Sequence, residues 1–274
     1  ALRKNLSVDE IAEITKIDRW FIIKIKNIVE VEKQLKNEKI TGELFQKAKK
    51  TGFTDEEIFA LTGERKENNL RPVYKIVDTC AAEFEAESPY YYSTYEDFDE
   101  NNISENKKVI VIGSAPIRIG QGIEFDYCSV QAVQGIKENG YDAIIINNNP
   151  ETVSTDFDIS DKLYFEPLDV ESVENIVREE KPEGIILQFG GQTSLNIAPK
   201  LSKDIKVLGT SIESINIAED REQFEQLLKE LKIRQPESMA ITNVEEAKKA
   251  AEKIGYPVLL RPSYVTGGMA MKTA

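Results

Sequence analysis

The segment Val109-Ile110-Val111-Ile112-Gly113 decides the fold of this chain, because an apolar run ends there at a glycine and a helical pattern follows. Later apolar runs repeat this arrangement at 143–146, 163–165, 185–187 and 207–208, with helical stretches at 122–138, 169–180 and 192–203. Strands that are apolar throughout are covered on both faces, and their alternation with helices is typical of a doubly wound parallel sheet. Residues 106–210 are therefore predicted to form an α/β domain.

The first 80 residues are predicted to form a helical domain. Ser7 and Thr54 each precede a glutamate by three residues, which is the capping-box pattern, and Asp18 is placed to cap a longer helix. Gly52 and Gly63 stand where helices are expected to end. The apolar residues of the longer helix keep a helical spacing: Phe21, Ile25, Ile28, Val31 and Leu35.

The segment Trp20-Phe21-Ile22-Ile23 is apolar on several sides of this longer helix. Such a helix needs more than one neighbour to cover it. Self-association through the helical domain is therefore predicted.

From Ser211 onward the sequence predicts a further unit, with helices near 219–232 and 243–254 and strands near 238–241 and 257–261. The last strand runs into a glycine-containing loop, and no partner strand is expected after it. Unpaired backbone groups are costly when buried. An incomplete domain with a disordered tail from about Ser263 is therefore predicted.

Acidic residues are concentrated between the predicted helical domain and the predicted α/β domain. Over the 274 residues, 35 Lys and Arg stand against 48 Asp and Glu, a net charge of −13 that argues against a nucleic-acid partner. Residues 81–105 contain eight acids and no base. Because tyrosines give this stretch apolar surface, we expect an acidic connector that lies as an ordered strap on one domain.

The residue types exclude several kinds of chemistry. Histidine is absent, which rules out Ser-His-Asp and Cys-His catalysis and every His-ligated metal site. Cys80 and Cys128 do not form a C-x-x-C pair, so two reduced thiols are expected and a Cys-based zinc site is excluded. With no membrane-spanning apolar run and no signal-peptide core, a cytoplasmic chain without a membrane partner is expected.

Ligands of doubly wound sheets bind beyond the carboxyl ends of the strands, so the loops there are candidate sites. The first loop contains Arg118, Gly120, Gln121 and Gly122 ahead of a helix. Free backbone N–H groups and the arginine suit a carboxylate or phosphate, and a mere tight turn is the alternative. The loop matches neither the dinucleotide fingerprint nor the P-loop.

Three further segments are candidates. Asn147-Asn148-Asn149 is interpreted either as part of a site or as turn chemistry. The segment Gly190-Gly191-Gln192 is either a site wall or a close-packing turn. Arg261, with the later Gly267-Gly268, suits a flap over nucleotide phosphates.

Several long motifs resemble the large chain of carbamoyl-phosphate synthases, and together they reach over essentially the whole sequence. They are 77–84, 92–96, 118–128, 149–156, 190–193 and 261–265. The resemblance implies a middle piece of a longer protein: residues 1–80 as an oligomerisation domain, 81–105 as the connector, 106–210 as a pre-ATP-grasp domain, and 211–274 as the incomplete beginning of an ATP-grasp domain.

The resemblance also implies an activity. The intact enzyme would be a ligase that makes carbamoyl phosphate, for arginine and pyrimidine synthesis, from bicarbonate, glutamine-derived ammonia and ATP. This piece would belong to the carbamate-phosphorylating half. ATP with Mg²⁺ or Mn²⁺ is the expected cofactor set, and a small glutaminase chain is the expected partner.

By the same resemblance, Arg261 is an ATP contact, and Gly267 and Gly268 belong to the flap over the triphosphate. Metal ligands are expected downstream of residue 274, so this piece is expected to contain no catalytic residue and to be inactive alone. Two residues depart from the family pattern: Met269 replaces a typical arginine, and Ala115 replaces a usual glycine.

Two alternatives stay open at this point. One is a non-catalytic oligomerisation and assembly module. The other is a nucleotide-dependent oxidoreductase on the same sheet topology, although the glycine fingerprint and the ribose-binding acid of that class are missing.

Overall fold

The computed structural model describes residues 1–65, 70–118, 121–262 and 270–274. The chain divides into two compact units. The first contains Ala1–Lys75 and Ser93–Glu100, and the second contains Ile76–Tyr92 and Asn101–Ala274. The expected strap at 81–105 is thus divided between the units, and the prediction that it lies on one domain is wrong.

The first unit is helical, as the sequence predicts. After a 3₁₀ turn at Leu2–Lys4, its helices are α1 (Val8–Thr15), α2 (Arg19–Asn37), α3 (Gly42–Thr51) and α4 (Asp55–Thr62). Both capping boxes are formed, and the Asp18 side chain accepts a hydrogen bond from the N–H of Trp20. Gly52 and Gly63 follow α3 and α4 with φ of 99° and 71°, the left-handed region that glycine adopts most readily.

The core of the first unit covers only part of the apolar stripe on α2. Val31 and Leu35 are buried among residues of the following segments: Ile40, Leu44, Phe45, Ala48 and Ile58. Phe21, Ile25 and Ile28 belong to the same stripe and are 57%, 53% and 43% exposed. The apolar stripe is therefore covered in the C-terminal half of α2 and open in the N-terminal half.

Most of the parallel sheet belongs to the second unit, and residues 73–75 and 93–94 are assigned to the first. The strands are β1 (Val73–Ile76), β2 (Tyr90–Thr94), β3 (Lys108–Ile112), β4 (Asp142–Asn147), β5 (Lys162–Phe165), β6 (Gly184–Ile186) and β7 (Val207–Leu208). Their order is β1-β2-β5-β4-β3-β6-β7. From β2 to β7 every neighbouring pair is parallel, which confirms the predicted topology. The sequence did not predict β1 or β2.

The helices of the sheet region are α5 (Glu124–Glu138), α6 (Val170–Glu180) and α7 (Gly191–Ile197), with 3₁₀ turns at Val153–Thr155 and Ala198–Lys200. All five residues of β3 are buried, so both faces of the sheet are covered. Val109, Val111 and Ile145 pack with Val133 of α5 on one face. The predicted helix at 192–203 ends early because Pro199 introduces a 3₁₀ turn.

Residues 211–274 differ in detail from the prediction. The expected helix at 219–232 is found as α9 (Arg221–Glu230), which begins where the Asp220 side chain accepts the N–H of Gln223. The sequence did not predict the helix before it, α8 (Ile212–Glu219). Then follow α10 (Val244–Ile254), β8 (Leu259–Leu260) and β9 (Lys272–Thr273). No strand forms at 238–241, where Met239 and Ile241 are exposed.

The expectation that the last strand lacks a partner is wrong. Strand β8 pairs antiparallel with β9, and Val258 and Ala274 exchange two backbone hydrogen bonds of 2.9 Å. The residues that follow Gly267 and Gly268 in the sequence therefore supply the partner strand. Residues 263–269, where the predicted disordered tail begins, lie outside the described residues.

Candidate functional site

The loops at the carboxyl edge of the parallel sheet form the candidate site. The first loop follows β3 and includes the described residues 113–118 and 121–122, and the second loop, 148–161, follows β4. Asn147, the last residue of β4, joins them: its Oδ1 accepts the N–H of Ala115 at 3.1 Å and that of Asn149 at 3.2 Å. The asparagine run therefore includes turn chemistry, as one of the two interpretations predicted.

Gly113 leaves room for the Asn147 side chain. A Cβ atom on Gly113 would lie 2.6 Å from both Cγ and Nδ2 of Asn147, which is closer than real Cβ contacts. Ala115, two residues later, is buried with φ of 60°. That conformation favours glycine, so the departure at Ala115 puts strain into the first loop.

The third loop, Leu187–Gly190, packs closely on the first. A Cβ on Gly190 would lie 2.6 Å from the carbonyl oxygen of Gly113 and 2.4 Å from Oγ of Ser194. That hydroxyl is buried and donates to the Leu187 carbonyl at 2.7 Å. The structure thus gives Gly190 a close-packing role.

Gln121 and Gly191 are brought together. Gly191 has φ of 59°, and its Cβ position lies 3.3 Å from Nε2 of Gln121. The Oε1 atom of Gln121 accepts the N–H of Arg118 at 3.0 Å, and the Gln121 N–H donates to the Arg118 carbonyl at 2.9 Å. The side chain of Arg118 is exposed at this edge, where a guanidinium can meet an anion.

Carboxylates stand at the start of α5. Glu124 and Asp126 lie in its first turn, and a Cβ on Gly122 would lie 2.1 Å from Oε2 of Glu124. These charges complement the positive end of the helix dipole and would repel an anion there. An anion in the first loop would therefore meet Arg118 rather than the N-terminus of α5.

Asp126 of α5 holds the second loop through hydrogen bonds to its backbone. Its buried carboxylate accepts the N–H of Ser154 through both oxygens, at 3.3 and 3.2 Å. Asn149 adds a turn by accepting the N–H of Glu151 at 3.1 Å. In the sequence, Asp126 lies within the motif 118–128, and no role was predicted for it.

Several buried polar atoms at this edge have no hydrogen-bond partner within the part of the chain that the structure describes. They are Nδ2 of Asn147, Oγ of Ser154 and Oε1 of Gln188. Buried polar groups are nearly always paired, so each of these atoms calls for a partner such as an ordered water or a ligand.

The remaining predicted residues make other contacts or lie outside the described residues. Gln192 donates to Asn196 at 3.0 Å and to Glu219 at 3.3 Å, so it links α7 to α8. Arg261 is exposed directly after β8, a strand of the two-stranded sheet. Gly120, Gly267, Gly268 and Met269 lie outside the described residues.

ATP needs a cationic contact for its phosphates, and a divalent cation needs grouped oxygen ligands. Arg261 offers a cation for phosphate, but no three acidic or cysteine side chains within 1–65, 70–118, 121–262 and 270–274 are grouped to hold a metal. Near the second loop, burial raises the pKa of Tyr90, and the charges of Asp156 and Asp158 raise it further.

The structural role of Asn147, which joins the first two loops, was not predicted from the sequence. The residue lay in a noticed asparagine run, but nothing in the run says which asparagine is buried. A usable signal was the glycine that ends the neighbouring strand, because Gly113 has to be small for a side chain to lie over it.

No described helix has both the length and the apolar character to cross a membrane.

Three family models of one enzyme match consecutive parts of the chain. The large-chain oligomerisation domain of carbamoyl-phosphate synthetase matches residues 1–76, the carbamoyl phosphate synthase preATP-grasp domain matches 105–217, and the large-chain ATP binding domain matches 220–274.

Two curated relatives match along nearly the whole chain. The carbamoyl phosphate synthase large chain of Clostridium acetobutylicum is 58% identical, and that of Archaeoglobus fulgidus is 57% identical. Each match covers 99% of this chain and 27% of the relative, so the chain spans about a quarter of the length of these proteins.

Likeness to solved structures is weaker. Rhizobium etli pyruvate carboxylase aligns with 62% of this chain and 16% of its own, at 17% identity and a TM-score of 0.44, and supports no argument about function. The family models and the relatives support neither the oxidoreductase nor the assembly-module alternative. On this evidence, the chain belongs to the carbamoyl-phosphate synthase large-chain family.

Proposed function

We propose that this chain works as a segment of an ATP-dependent ligase that makes carbamoyl phosphate from bicarbonate, glutamine-derived ammonia and ATP. Its place is in the half that phosphorylates carbamate. The observation that carries the proposal is the 58% identity over 99% of the chain, since it includes every loop of the candidate site. A small glutaminase chain is the proposed partner, and the cytoplasm is the proposed location.

Each region has a proposed part. Residues 1–80 serve in oligomerisation, 81–105 connect, 106–210 form the pre-ATP-grasp domain, and 211–274 begin the ATP-grasp domain. The matches at 1–76, 105–217 and 220–274 support this division. The proposed cofactors are ATP and Mg²⁺ or Mn²⁺, with the metal held by parts of the intact enzyme other than the residues described here.

Arg118 is proposed as the anion contact of the first loop. Its guanidinium is exposed at the carboxyl edge of the sheet, and its backbone is fixed by two hydrogen bonds with Gln121. A planar, permanently charged group suits a carboxylate-like or phosphate-like substrate. Gly120, Gln121 and Gly122 complete the proposed loop, with Gly190, Gly191 and Gln192 as its wall.

Arg261 is proposed as a contact to the ATP phosphates. It is exposed at the end of β8, and the pairing of β8 with β9 places the residues on both sides of the intervening segment side by side. Gly267 and Gly268 fall within that segment and are proposed as the flap. This placement supports a loop closing over phosphates, where backbone N–H groups add to the arginine charge.

The apolar stripe of α2 is proposed as the self-association surface. Trp20, Phe21, Ile25 and Ile28 lie between 43% and 58% exposed on neighbouring turns. They continue the line of Val31 and Leu35, which α3 and α4 already cover. Burying such a stripe against a second copy removes apolar surface from water.

A chimera tests the proposed function. The 274 residues replace the matching segment of the Clostridium acetobutylicum large chain, and the whole enzyme is assayed with its small chain for carbamoyl phosphate formation. We expect turnover within about tenfold of the parent enzyme, because fewer than half of the segment's residues change. A folded chimera that hydrolyses ATP with bicarbonate but makes no carbamoyl phosphate contradicts the proposal.

A second assay, of the reverse reaction, tests which half of the enzyme this segment serves. Formation of ATP from carbamoyl phosphate and ADP is the reversal of carbamate phosphorylation. In the chimera, Arg261→Ala should reduce this reaction by at least about a hundredfold, the effect of losing one contact to the charge that develops in the transition state. Arg234→Ala, which removes an exposed arginine of the same region, is the matched control and should have no effect.

A further inference from the structure

The carboxamide of Asn147 is an internal connection between the first two loops. It accepts one N–H from each loop, Ala115 at 3.1 Å and Asn149 at 3.2 Å. Asn147 is fully buried, so water does not compete for its oxygen. A carbonyl oxygen with two lone pairs is saturated by two donors. We call this three-residue arrangement the Asn147 bridge.

Gly113 makes the bridge possible. With no Cβ, its backbone lets Cγ and Nδ2 of Asn147 lie 2.6 Å from where a Cβ would be. Gly113 is also fixed in the sheet, because its N–H donates to the carbonyl of Ile146 at 2.8 Å. The carboxamide is therefore held against the end of β3 while its oxygen reaches into the loop beyond.

The segment that the bridge holds is strained. Ala115 is 3% exposed and has φ of 60°, which costs an L residue roughly 1 kcal/mol or more. Such a conformation persists only where the surroundings determine it. The hydrogen bond from the Ala115 N–H to Asn147 is a contact that does so.

Arg118 follows Ala115 by three residues in the sequence. Its own N–H is bound to Oε1 of Gln121 at 3.0 Å, and its side chain is exposed. The chain between Ala115 and Arg118 contains Pro116, whose ring fixes one more backbone angle. The backbone of Arg118, from which the guanidinium extends, is thus held from both sides.

We propose that Asn147 is a positioning residue: it holds Ala115 and thereby sets where Arg118 stands at the carboxyl edge of the sheet. The substrate-directed part of this inference rests on the proposed function, in which Arg118 contacts an anion. The bridge itself does not depend on that function, and the two parts are tested separately.

Amide hydrogen exchange, resolved residue by residue on the 274-residue chain, tests the bridge. Asn147→Ala removes the acceptor, and the amides of Ala115 and Asn149 should exchange about tenfold faster, the effect of losing one hydrogen bond. Amides in the middle of β3 and β4 should keep their rates. Asn148→Ala, at the exposed neighbouring position, is the matched control and should change neither amide.

The conservative variant separates the bridge from simple packing. Asn147→Asp keeps an acceptor oxygen of the same shape and should restore the protection of Ala115 and Asn149 relative to Asn147→Ala. Unchanged exchange in Asn147→Ala, or equal acceleration in Asn148→Ala, overturns the bridge.

A second variant keeps the test decisive if Asn147→Ala does not fold. Gly113→Ala displaces the carboxamide from the other side and should accelerate the same two amides. Gly135→Ala, where an added Cβ meets nothing within 4 Å, is its control. Acceleration spread evenly over the sheet, or none at Ala115 and Asn149, overturns the bridge.

A titration with inorganic phosphate tests the positioning of Arg118. Phosphate-induced NMR shifts at the Arg118 side chain should occur in the unaltered chain, and the apparent affinity should fall severalfold in Asn147→Ala. Equal affinity in the two proteins overturns the positioning role. If the unaltered chain binds no phosphate while the exchange results stand, the proposed anion contact fails and the bridge is retained.

Discussion

The carbonyl oxygen of Gly113 lies 2.6 Å from the position that a Cβ atom on Gly190 would occupy. The neighbour is backbone at the end of a fully buried strand, so it cannot turn aside as a flexible side chain would. The two glycines are thus a matched pair that lets the first and third loops of the site lie against each other.

Gly190→Ala should lower the free energy of unfolding by about 1–3 kcal/mol, because the added methyl group overpacks this contact. Urea denaturation followed by circular dichroism measures the change. Gly135→Ala is the matched control: it lies within α5 in open space and should stabilise the chain by up to about 1 kcal/mol. A Gly190→Ala chain as stable as the parent would contradict the packing of these loops.

Much of the fold could be predicted because its signals are local. The capping boxes at Ser7 and Thr54, and the β3 run that ends at Gly113, are each contained in a few consecutive residues. Strand β9 could not be predicted in this way, since Lys272–Thr273 has no strand-like pattern and is a strand only because Leu259–Leu260 lies beside it.

The candidate site, like the fold, could be predicted only where its signals are local in the sequence. The loops were predicted correctly in place, because strand ends are visible in the sequence. The contacts that hold the loops were not predicted, because these hydrogen bonds join residues that are 28 to 32 positions apart. Examples are the bonds between Asp126 and Ser154 and between Asn147 and Ala115. Long-range pairing of this kind leaves no periodicity along the chain.

A buried ion cluster at the opposite end of the sheet should carry much of the second unit's stability. Glu180, at the end of α6, accepts from Lys162 at 2.7 Å, from Lys108 at 3.3 Å and from the hydroxyl of Tyr164. The carboxylate side chain is 1% exposed, and those of the two lysines are 11% and 5% exposed.

Glu180→Gln should therefore lower the free energy of unfolding by about 3–5 kcal/mol, because it leaves two buried ammonium groups without their counter-charge. Thermal and urea unfolding at neutral pH are the measurements. The adjacent Glu179→Gln, on the more exposed side of α6, should change stability by less than about 0.5 kcal/mol. Equal losses in the two variants would show that the cluster does not stabilise the sheet.

Glu32 gives the first unit a defined pH dependence. Hydrogen bonds from Lys36, and then from Arg3 at 2.7 Å, hold the pKa of this buried carboxyl below its ordinary value. A pKa lowered by folding contributes stability above the unfolded-state value, and that contribution is lost as pH falls through the folded-state value.

Glu32→Gln should cost about 1–2 kcal/mol at pH 7, and the difference from the parent chain should shrink as the pH falls below about 4.5. Unfolding curves collected from pH 7 to pH 3 measure it. Glu30→Gln on the same helix, whose ion pair with Lys26 is solvent-exposed at 3.5 Å, should cost less than about 1 kcal/mol. A pH-independent loss in Glu32→Gln would contradict the ionic origin of its effect.

The open half of the α2 stripe should make the chain associate with itself. Trp20 and Phe21 are a T-shaped aromatic pair with ring centroids 5.0 Å apart, and more than half of each side chain faces solvent. Ile25 and Ile28 extend the same surface by two further turns. Exposed apolar surface of this kind marks an interaction site.

Replacing Phe21 and Ile25 together by serine should abolish concentration-dependent association in sedimentation velocity experiments, and the melting temperature should change little because neither side chain belongs to the core. Phe157→Ser removes an aromatic side chain that is 72% exposed in the second unit, and this control should associate like the parent. Association that is equally strong in the double variant would move the interface to another surface of the chain.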